Sequence, residues 1–300
     1  MIRLDSNQRR ALRAWTAGIL LVFAAGCGSD DLPDYFLLDR LRVLGANVTG
    51  SAAEFSAGDA GITVDFHISD PKGAGRSLSY SLEACVDPGI GFGATPTCAG
   101  NPTRTVITAS GSFTPGSAAT NYYGVLTTPA FSVPAAGVIY VDPATGLTRA
   151  TYQQQNGVGY LVLLTLTASS TESVTAFKRV IVSTKATKNQ NPTFASPALL
   201  FAGVDASAYS LTSDYFTMVA NAATGAAESY VAENADGTTT NMTEKLTVTW
   251  LSNAGSIRYS RTDPAFENRY TPESPAPTKT SFIAILRDER GGLAVFALHK

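Results

Sequence analysis

The chain has 300 residues, with 22 Lys and Arg against 24 Asp and Glu for a net charge of −2. Only 15% of its residues are charged, below the ~25% usual in soluble domains. It carries no basic block able to displace counterions from a phosphate backbone, which argues against nucleic acid as a partner.

In chain order, Arg3, Arg9, Arg10 and Arg13 come first, followed by an apolar run at 14–25. That run is shorter than the ~20 residues a membrane-crossing helix needs, and its flanks are those of a secretory signal peptide. It ends in Phe23-Ala24-Ala25-Gly26-Cys27, which resembles a lipobox with Ala24 where a leucine is usual. The resemblance implies cleavage after Gly26 and lipidation of Cys27, so 1–26 is expected to be a lipoprotein signal peptide and 27–37 a lipidated tether. Two or more acyl chains hold a protein on a bilayer stably, at about 0.8 kcal/mol per buried methylene. Gly28 directly after the cysteine suggests the outer membrane. Removing 1–26 takes away four arginines and Asp5, so the net charge goes from −2 to −5.

With Cys27 lipidated, Cys85 and Cys98 remain, and an even remainder in an exported chain reads as a disulfide. The Gly/Pro-rich segment between them can turn back on itself, and closing such a loop contributes roughly 3 kcal/mol in the chain-entropy model.

The body reads as strands. One begins at Leu41-Arg-Val-Leu44. At 62–69, Ile62, Val64, Phe66 and Ile68 alternate with Thr63, Asp65, His67 and Ser69, a period of two. The segment 70–73 is a turn, and 77–85 alternates again. The Gly/Pro/Ser/Thr-rich stretch 86–136 reads as a long loop insertion with weaker strands near Val106 and Tyr122. The apolar run 160–168 is a central strand, paired through a turn at 169–172 with 174–183. The polar segment 185–191 is the expected domain boundary. Beyond it, strands are expected at 194–201, 215–220, 245–250, 281–286 and 293–298. The last two are joined by Arg287-Asp-Glu-Arg-Gly-Gly292, whose glycines allow positive φ. No sustained helical period occurs after residue 40. The expected fold is all-β, with two immunoglobulin-like β-sandwich domains at 38–188 and 189–300. A transmembrane β-barrel also alternates apolar and polar residues, but the lipobox and the few tightly paired hairpins disfavour it.

A terminal hairpin in each half and Trp250 on a third-strand-like segment resemble immunoglobulin-like or cadherin-like modules. The chain is also similar to lipoproteins of gliding and predatory Gram-negative bacteria. That likeness is carried by Leu41-Arg-Val-Leu44, Tyr80 with Cys85-Val-Asp-Pro-Gly and Cys98, Asn191-Pro192, and Arg287-Asp-Glu-Arg-Gly-Gly292. It implies fold and an outer-membrane location, without an activity.

Chemistry-bearing groups are sparse. His67 lies off the apolar face of its strand and His299 next to the end, so both are expected in solvent. No third ligand completes a zinc site, and no Gly-x-Ser-x-Gly is present. Glu228, Glu233, Asp236, Glu244, Asp288 and Glu289 are the candidates for a carboxylate pair of the glycosidase kind. Asp70, Asp87, Asp236, Asp288 and Glu289 are oxygen donors, but without calcium-loop spacing; they read as surface acids without an ion. Arg287, Asp288 and Arg290 could form an ion-pair cluster fixing their hairpin. Tyr122, Tyr123, Tyr209, Tyr215, Tyr230, Tyr259 and Tyr270 could line a carbohydrate- or protein-binding surface, but most read as strand packing. Binding is expected in the loops at 87–97 and 115–135. The expected function is binding, adhesion or scaffolding at the cell envelope, without catalysis and without a cofactor. Its partners would be the membrane through Cys27, and other envelope proteins or surface glycans. The alternative is an envelope glycan hydrolase working with paired carboxylates.

Overall fold

The computed structural model describes residues 35–90, 94–212, 214–275 and 279–300; the signal-like segment and Cys27 lie outside them. The chain is all-β. Its first half contributes β1 (Arg42–Val48), β2 (Glu54–Phe55), β3 (Val64–Ser69), β4 (Leu78–Val86), β5 (Thr105–Phe113), β6 (Tyr123–Thr127), the short helices α1 (Ala136–Ile139) and α2 (Thr151–Asn156), then β7 (Val158–Ser169) and β8 (Glu172–Val182). The second half contributes β9 (Phe194–Phe201), β10 (Val204–Asp205), β11 (Phe216–Ala222), β12 (Ser229–Glu233), β13 (Thr239–Thr243), β14 (Thr247–Ser252), β15 (Ser256–Ile257), β16 (Arg261–Thr262), β17 (Asn268–Thr271), β18 (Ser281–Arg287) and β19 (Leu293–His299). No helix among the described residues is long and apolar enough to cross a membrane.

Four main sheets form two sandwiches. A five-stranded sheet ordered β2-β8-β7-β4-β5 faces a three-stranded sheet ordered β1-β3-β6. A four-stranded sheet ordered β16-β14-β18-β19 faces a five-stranded sheet ordered β10-β9-β11-β17-β15, and β12-β13 stand apart as a hairpin. The stretch 86–136, expected as a loop insertion, supplies β5 and β6, which are integral to the two sheets of the first sandwich.

Side-chain alternation explains the layering. Val64, Phe66 and Ile68 of β3 meet Leu82 of β4 and Val162 and Leu164 of β7 in the first core. Phe282, Ala284 and Leu286 of β18 meet Val248 and Trp250 of β14 and Phe201 and Phe216 from the opposite sheet in the second. The intervening residues of β18, Ile283 and Ile285, point the other way into a third cluster with Leu38, Leu44, Leu251 and Leu293. That third cluster joins the two sandwiches face to face. Leu44 reaches it because β1 carries a bulge between Val43 and Gly45; the extra residue turns outward, while Ala46 and Val48 face the first core.

The outer face of β7 is covered as well. Leu161 and Leu163 pack under Cys85, Cys98 and Ile90, and Cys85 and Cys98 are disulfide-bonded with their Cα atoms 5.8 Å apart. Ile90, from the stretch expected to bind, thus helps cover a sheet. Trp250 is buried, and its indole N–H donates to Thr262 Oγ1 at 2.9 Å.

The joining face corrects the expected solvation of both histidines. His67 is 9% exposed. Its Nδ1 lies 2.6 Å from the Tyr123 hydroxyl and its Nε2 2.8 Å from Asn47 Oδ1. The neutral ring with its proton on Nε2 satisfies both, donating to the amide oxygen and accepting from the phenol. His299 is partly buried, its Nδ1 2.7 Å from Ser281 Oγ and its ring 5.9 Å from that of Tyr123. Burial pushes His67 down to about 4 and Tyr123 up to about 12.

Because the folded chain keeps His67 neutral while the unfolded chain protonates it near its ordinary 6.5, the stability that this site confers is full above pH 6.5 and is lost as pH falls toward 4. Compared with His67→Gln in urea titrations at several pH values, the native chain should lose up to about 3 kcal/mol more between pH 6.5 and 4. A constant difference across that range would contradict the buried neutral imidazole.

Candidate functional site

The turn between β18 and β19, the segment 185–191 and the β12–β13 hairpin converge beside β2. The hairpin turns at Asp236-Gly237, where Asp236 Oδ1 accepts from the Thr238 amide at 3.0 Å and its hydroxyl at 2.7 Å, and Gly237 supplies the positive φ of 81°. A two-stranded hairpin is marginal on its own. Asn156 of α2 anchors this one as a peptide mimic: its Nδ2 donates to the Glu233 carbonyl at 2.7 Å and its Oδ1 accepts the Glu233 amide at 3.0 Å. Beneath the hairpin lies a cleft of ≈ 460 Å³ whose walls include Lys185, Glu228, Tyr230, Glu233, Thr239 and Arg290.

Arg290 forms the floor. Its Nη2 donates to Glu54 Oε2 at 2.5 Å, and its Nη1 stands 3.6 Å from Glu228 and 3.5 Å from Glu244. Its guanidinium lies over the Tyr230 ring at 4.6 Å, with Lys185 Nζ 5.3 Å from the same centroid. Glu54 and Glu244 are buried. Glu54 Oε2 also accepts the Asn189 amide at 2.9 Å, and Glu244 Oε2 the Glu228 amide at 2.9 Å. Burial raises the Glu244 carboxyl to about 7.

A second polar knot sits next to this floor. Asn191 Nδ2 donates to the carbonyls of Val48 and Gly50, both at 2.9 Å, and of Ala52 at 3.3 Å, while its Oδ1 accepts the Leu293 amide at 3.1 Å. The segment 185–191 is thus tied into β1, β2 and β19 at once.

The arrangement brings together two of the six candidate carboxylates, Glu228 and Glu244, on one guanidinium. Glu233 lies on the cleft wall, Asp236 closes the hairpin turn, and Glu289 joins none of these contacts. Asp288 bonds its own turn, accepting the amides of Arg290 at 2.9 Å and Gly292 at 2.7 Å. The expected ion-pair cluster of Arg287, Asp288 and Arg290 is therefore replaced: Arg287 turns to the Leu44 carbonyl and Arg290 to the glutamates. Two of the supposed surface acids are engaged internally. Asp70 is buried and receives both Arg76 Nε at 2.7 Å and Nη2 at 3.0 Å, and Asp87 pairs with Arg179. Among the described residues no group of three or more His, Cys, Asp or Glu side chains could hold a metal ion. Glu54, Asn189 and Asn191 carry no site signal in the sequence, whereas Tyr230 is among the tyrosines able to line a binding surface; nothing in Ala52-Ala53-Glu54-Phe55 marks an acid that will meet a guanidinium 236 residues away.

Chemically the floor is an ion-pair network in which two buried acceptors, Glu54 Oε1 and Asn189 Oδ1, have no hydrogen-bond partner among the described residues. Glu244, with the raised pKa of a general acid, has no exposed side-chain surface, and it lies behind the cleft wall formed by Glu228 and Arg290.

No protein-family model matches the chain, and no curated protein matches it. Among solved structures it is similar to a red sea bream transglutaminase, at 10% identity and a TM-score of 0.27 over 87% of this chain and 31% of that one. It is also similar to the E. coli chaperone DraB, at 8% identity and a TM-score of 0.24 over 86% of this chain and 99% of that one. The chain thus spans about a third of the transglutaminase's length.

Removing one partner of a buried ion pair leaves the other uncompensated, at a cost of roughly 3–5 kcal/mol, whereas replacing both by apolar groups can be near neutral. Arg290→Met should therefore lower unfolding stability by that amount in urea titrations, and adding Glu54→Leu should cost less than the sum of the two single losses. Additive losses in the double variant would contradict the pairing.

Proposed function

We propose that this chain is a lipid-anchored cell-envelope protein with a binding, adhesion or scaffolding role rather than an enzyme. The observation that carries the reading is the Cys85–Cys98 disulfide, fully buried over the outer face of β7. Structural disulfides persist in oxidising compartments outside the cytoplasm, which agrees with export directed by the signal-like segment and with Cys27 as the lipid site.

The placement of charged groups favours binding over turnover. Glu54, Glu244 and Asp70 are buried in ion pairs that join strands and loops, and Glu244 does not reach the cleft as a glycan-cleaving acid would have to. Facing outward are the β12–β13 hairpin, with Val231 and Met242 exposed, and the Tyr230 cleft beneath it. Such surfaces suit envelope proteins or glycans as partners.

The anchor is tested by Cys27→Ser in cells fed labelled palmitate. The native chain should take up label and sediment with outer membranes, while the variant should lose the label and leave that fraction. Unchanged labelling in the variant would overturn the assignment.

A further inference from the structure

On one side of the first sandwich two sheet edges are largely unpaired among the described residues. β8 pairs with β7 along its length, but β2 reaches its other side only at Ile181 and Val182. β1 pairs with β3 alone. The two edges are in contact, and the turn between β18 and β19 lies against them, leaving a cleft of ≈ 450 Å³. Leu44, Phe177 and Leu293 supply apolar wall. Gly45 keeps the cleft open, since a Cβ there would stand 3.1 Å from Leu293 and 3.5 Å from Arg287 Nη2.

Three cations line this cleft: Arg179, which pairs with Asp87, and Lys178 and Arg287 from different sheets. Lys178 of β8 is only 6% exposed, and its Nζ donates to the Gly291 carbonyl. Arg287 of β18 donates through Nη2 to the Leu44 carbonyl at 3.2 Å. An ammonium has three N–H donors and a guanidinium five, so each spends one on a neutral oxygen and keeps the rest. Among the described residues neither forms a salt bridge. Asp288 also lines the cleft, its carboxylate engaged with Asn189, Arg290 and Gly292. Burial lowers Lys178 to about 8, with Asp288 offsetting part of the effect, and burial next to Arg261 lowers Arg287. Both positive charges are thus desolvated, Lys178 only partly balanced by Asp288 and Arg287 with no carboxylate in salt-bridge range among the described residues, an unfavourable state that an incoming anion relieves.

We propose that this cleft binds a small amphipathic carboxylate, its charged group between Lys178 and Arg287 and its apolar part against Leu44, Phe177 and Leu293. The volume falls in the roughly 300–1,000 Å³ range of small-molecule sites, which pair apolar walls with a few polar groups. A lysine on a strand edge also discourages edge-to-edge association. That role accounts for Lys178 alone and gives no reason for Arg287 to converge on the same cleft from the other sandwich. The inference deepens the binding role proposed above and does not depend on the anchor at Cys27.

The test uses the full chain in a neutral maltoside detergent, titrated with hexanoate, acetate and hexanol and followed by calorimetry and by the thermal midpoint. Hexanoate should bind saturably and raise the midpoint, acetate should bind about tenfold more weakly for lack of an apolar body, and hexanol should have no effect. Lys178→Met, which replaces a buried cation by an apolar side chain of similar length, should fold at least as stably and weaken hexanoate about tenfold or more. Arg287→Lys keeps the charge and should retain binding, while Arg287→Met should lose it. Hexanol matching hexanoate, absence of a saturable response, or unchanged hexanoate binding in Lys178→Met would each overturn the proposal. Self-association of Lys178→Met with hexanoate binding intact would assign that lysine to edge protection instead. Palmitate labelling at Cys27 is unaffected by any of these variants, so failure here is distinct from failure of the anchor.

Discussion

The apolar contact of Leu44 with Ile283, Ile285 and Leu293 determines how the rest of this molecule is arranged. A strand in a single sandwich buries one face and leaves the other to water. β18 buries both, sending Phe282, Ala284 and Leu286 into one core and Ile283 and Ile285 into another. Complete burial of each such side chain contributes about 1.5–3 kcal/mol, so the second face of β18 demands a partner surface. The bulge in β1 supplies it by turning Leu44 out of its own core. Once the two sandwiches are stacked on that contact, the polar groups around it have to be satisfied internally, because water is excluded. Asn191 with its four partners, His67 between Tyr123 and Asn47, and Arg290 among three glutamates are the consequences.

The same constraint shapes what the protein can offer a partner. His67 and Glu244 are buried by it, which moves their pKa values, while Glu228 and Glu233 line a cleft. Surfaces left outside, among the described residues, include sheet edges, a hairpin held by Asn156 and by Arg290 over Tyr230, and two clefts beside the joint. Each cleft borrows side chains from both halves of the chain, such as Lys185 with Arg290 and Lys178 with Arg287. Their geometry therefore depends on the sandwiches staying together.

Much of the strand framework was legible in the sequence. The run 194–201 coincides with β9, and 281–286 falls within β18, because alternation and β-branched or aromatic residues are local signals. The two-residue strands β2, β10, β15 and β16, and the polar hairpin β12–β13, carry no such period; pairing with neighbours defines them. The histidines were misjudged for a related reason. Alternation places His67 off the first core, and only the stacking of a second sandwich turns that outward face into an interior. The disulfide was legible from cysteine parity, whereas the Arg290 network was not, since its acids come from positions 54, 228 and 244. The apolar character of both alternating sets in Ser-Phe-Ile-Ala-Ile-Leu-Arg was the one available sign that β18 lies between two cores.

Differential scanning calorimetry of the intact chain tests the stacked joint most directly. If the face-to-face contact couples the two sandwiches, 36–300 should unfold in one transition whose calorimetric and van't Hoff enthalpies agree. Ile285→Asp, which places an unpaired charge in the joint, should then lower that transition and split it in two. Two separate transitions in the native chain, with the melting of one sandwich leaving the other's midpoint unchanged by Ile285→Asp, would contradict the account.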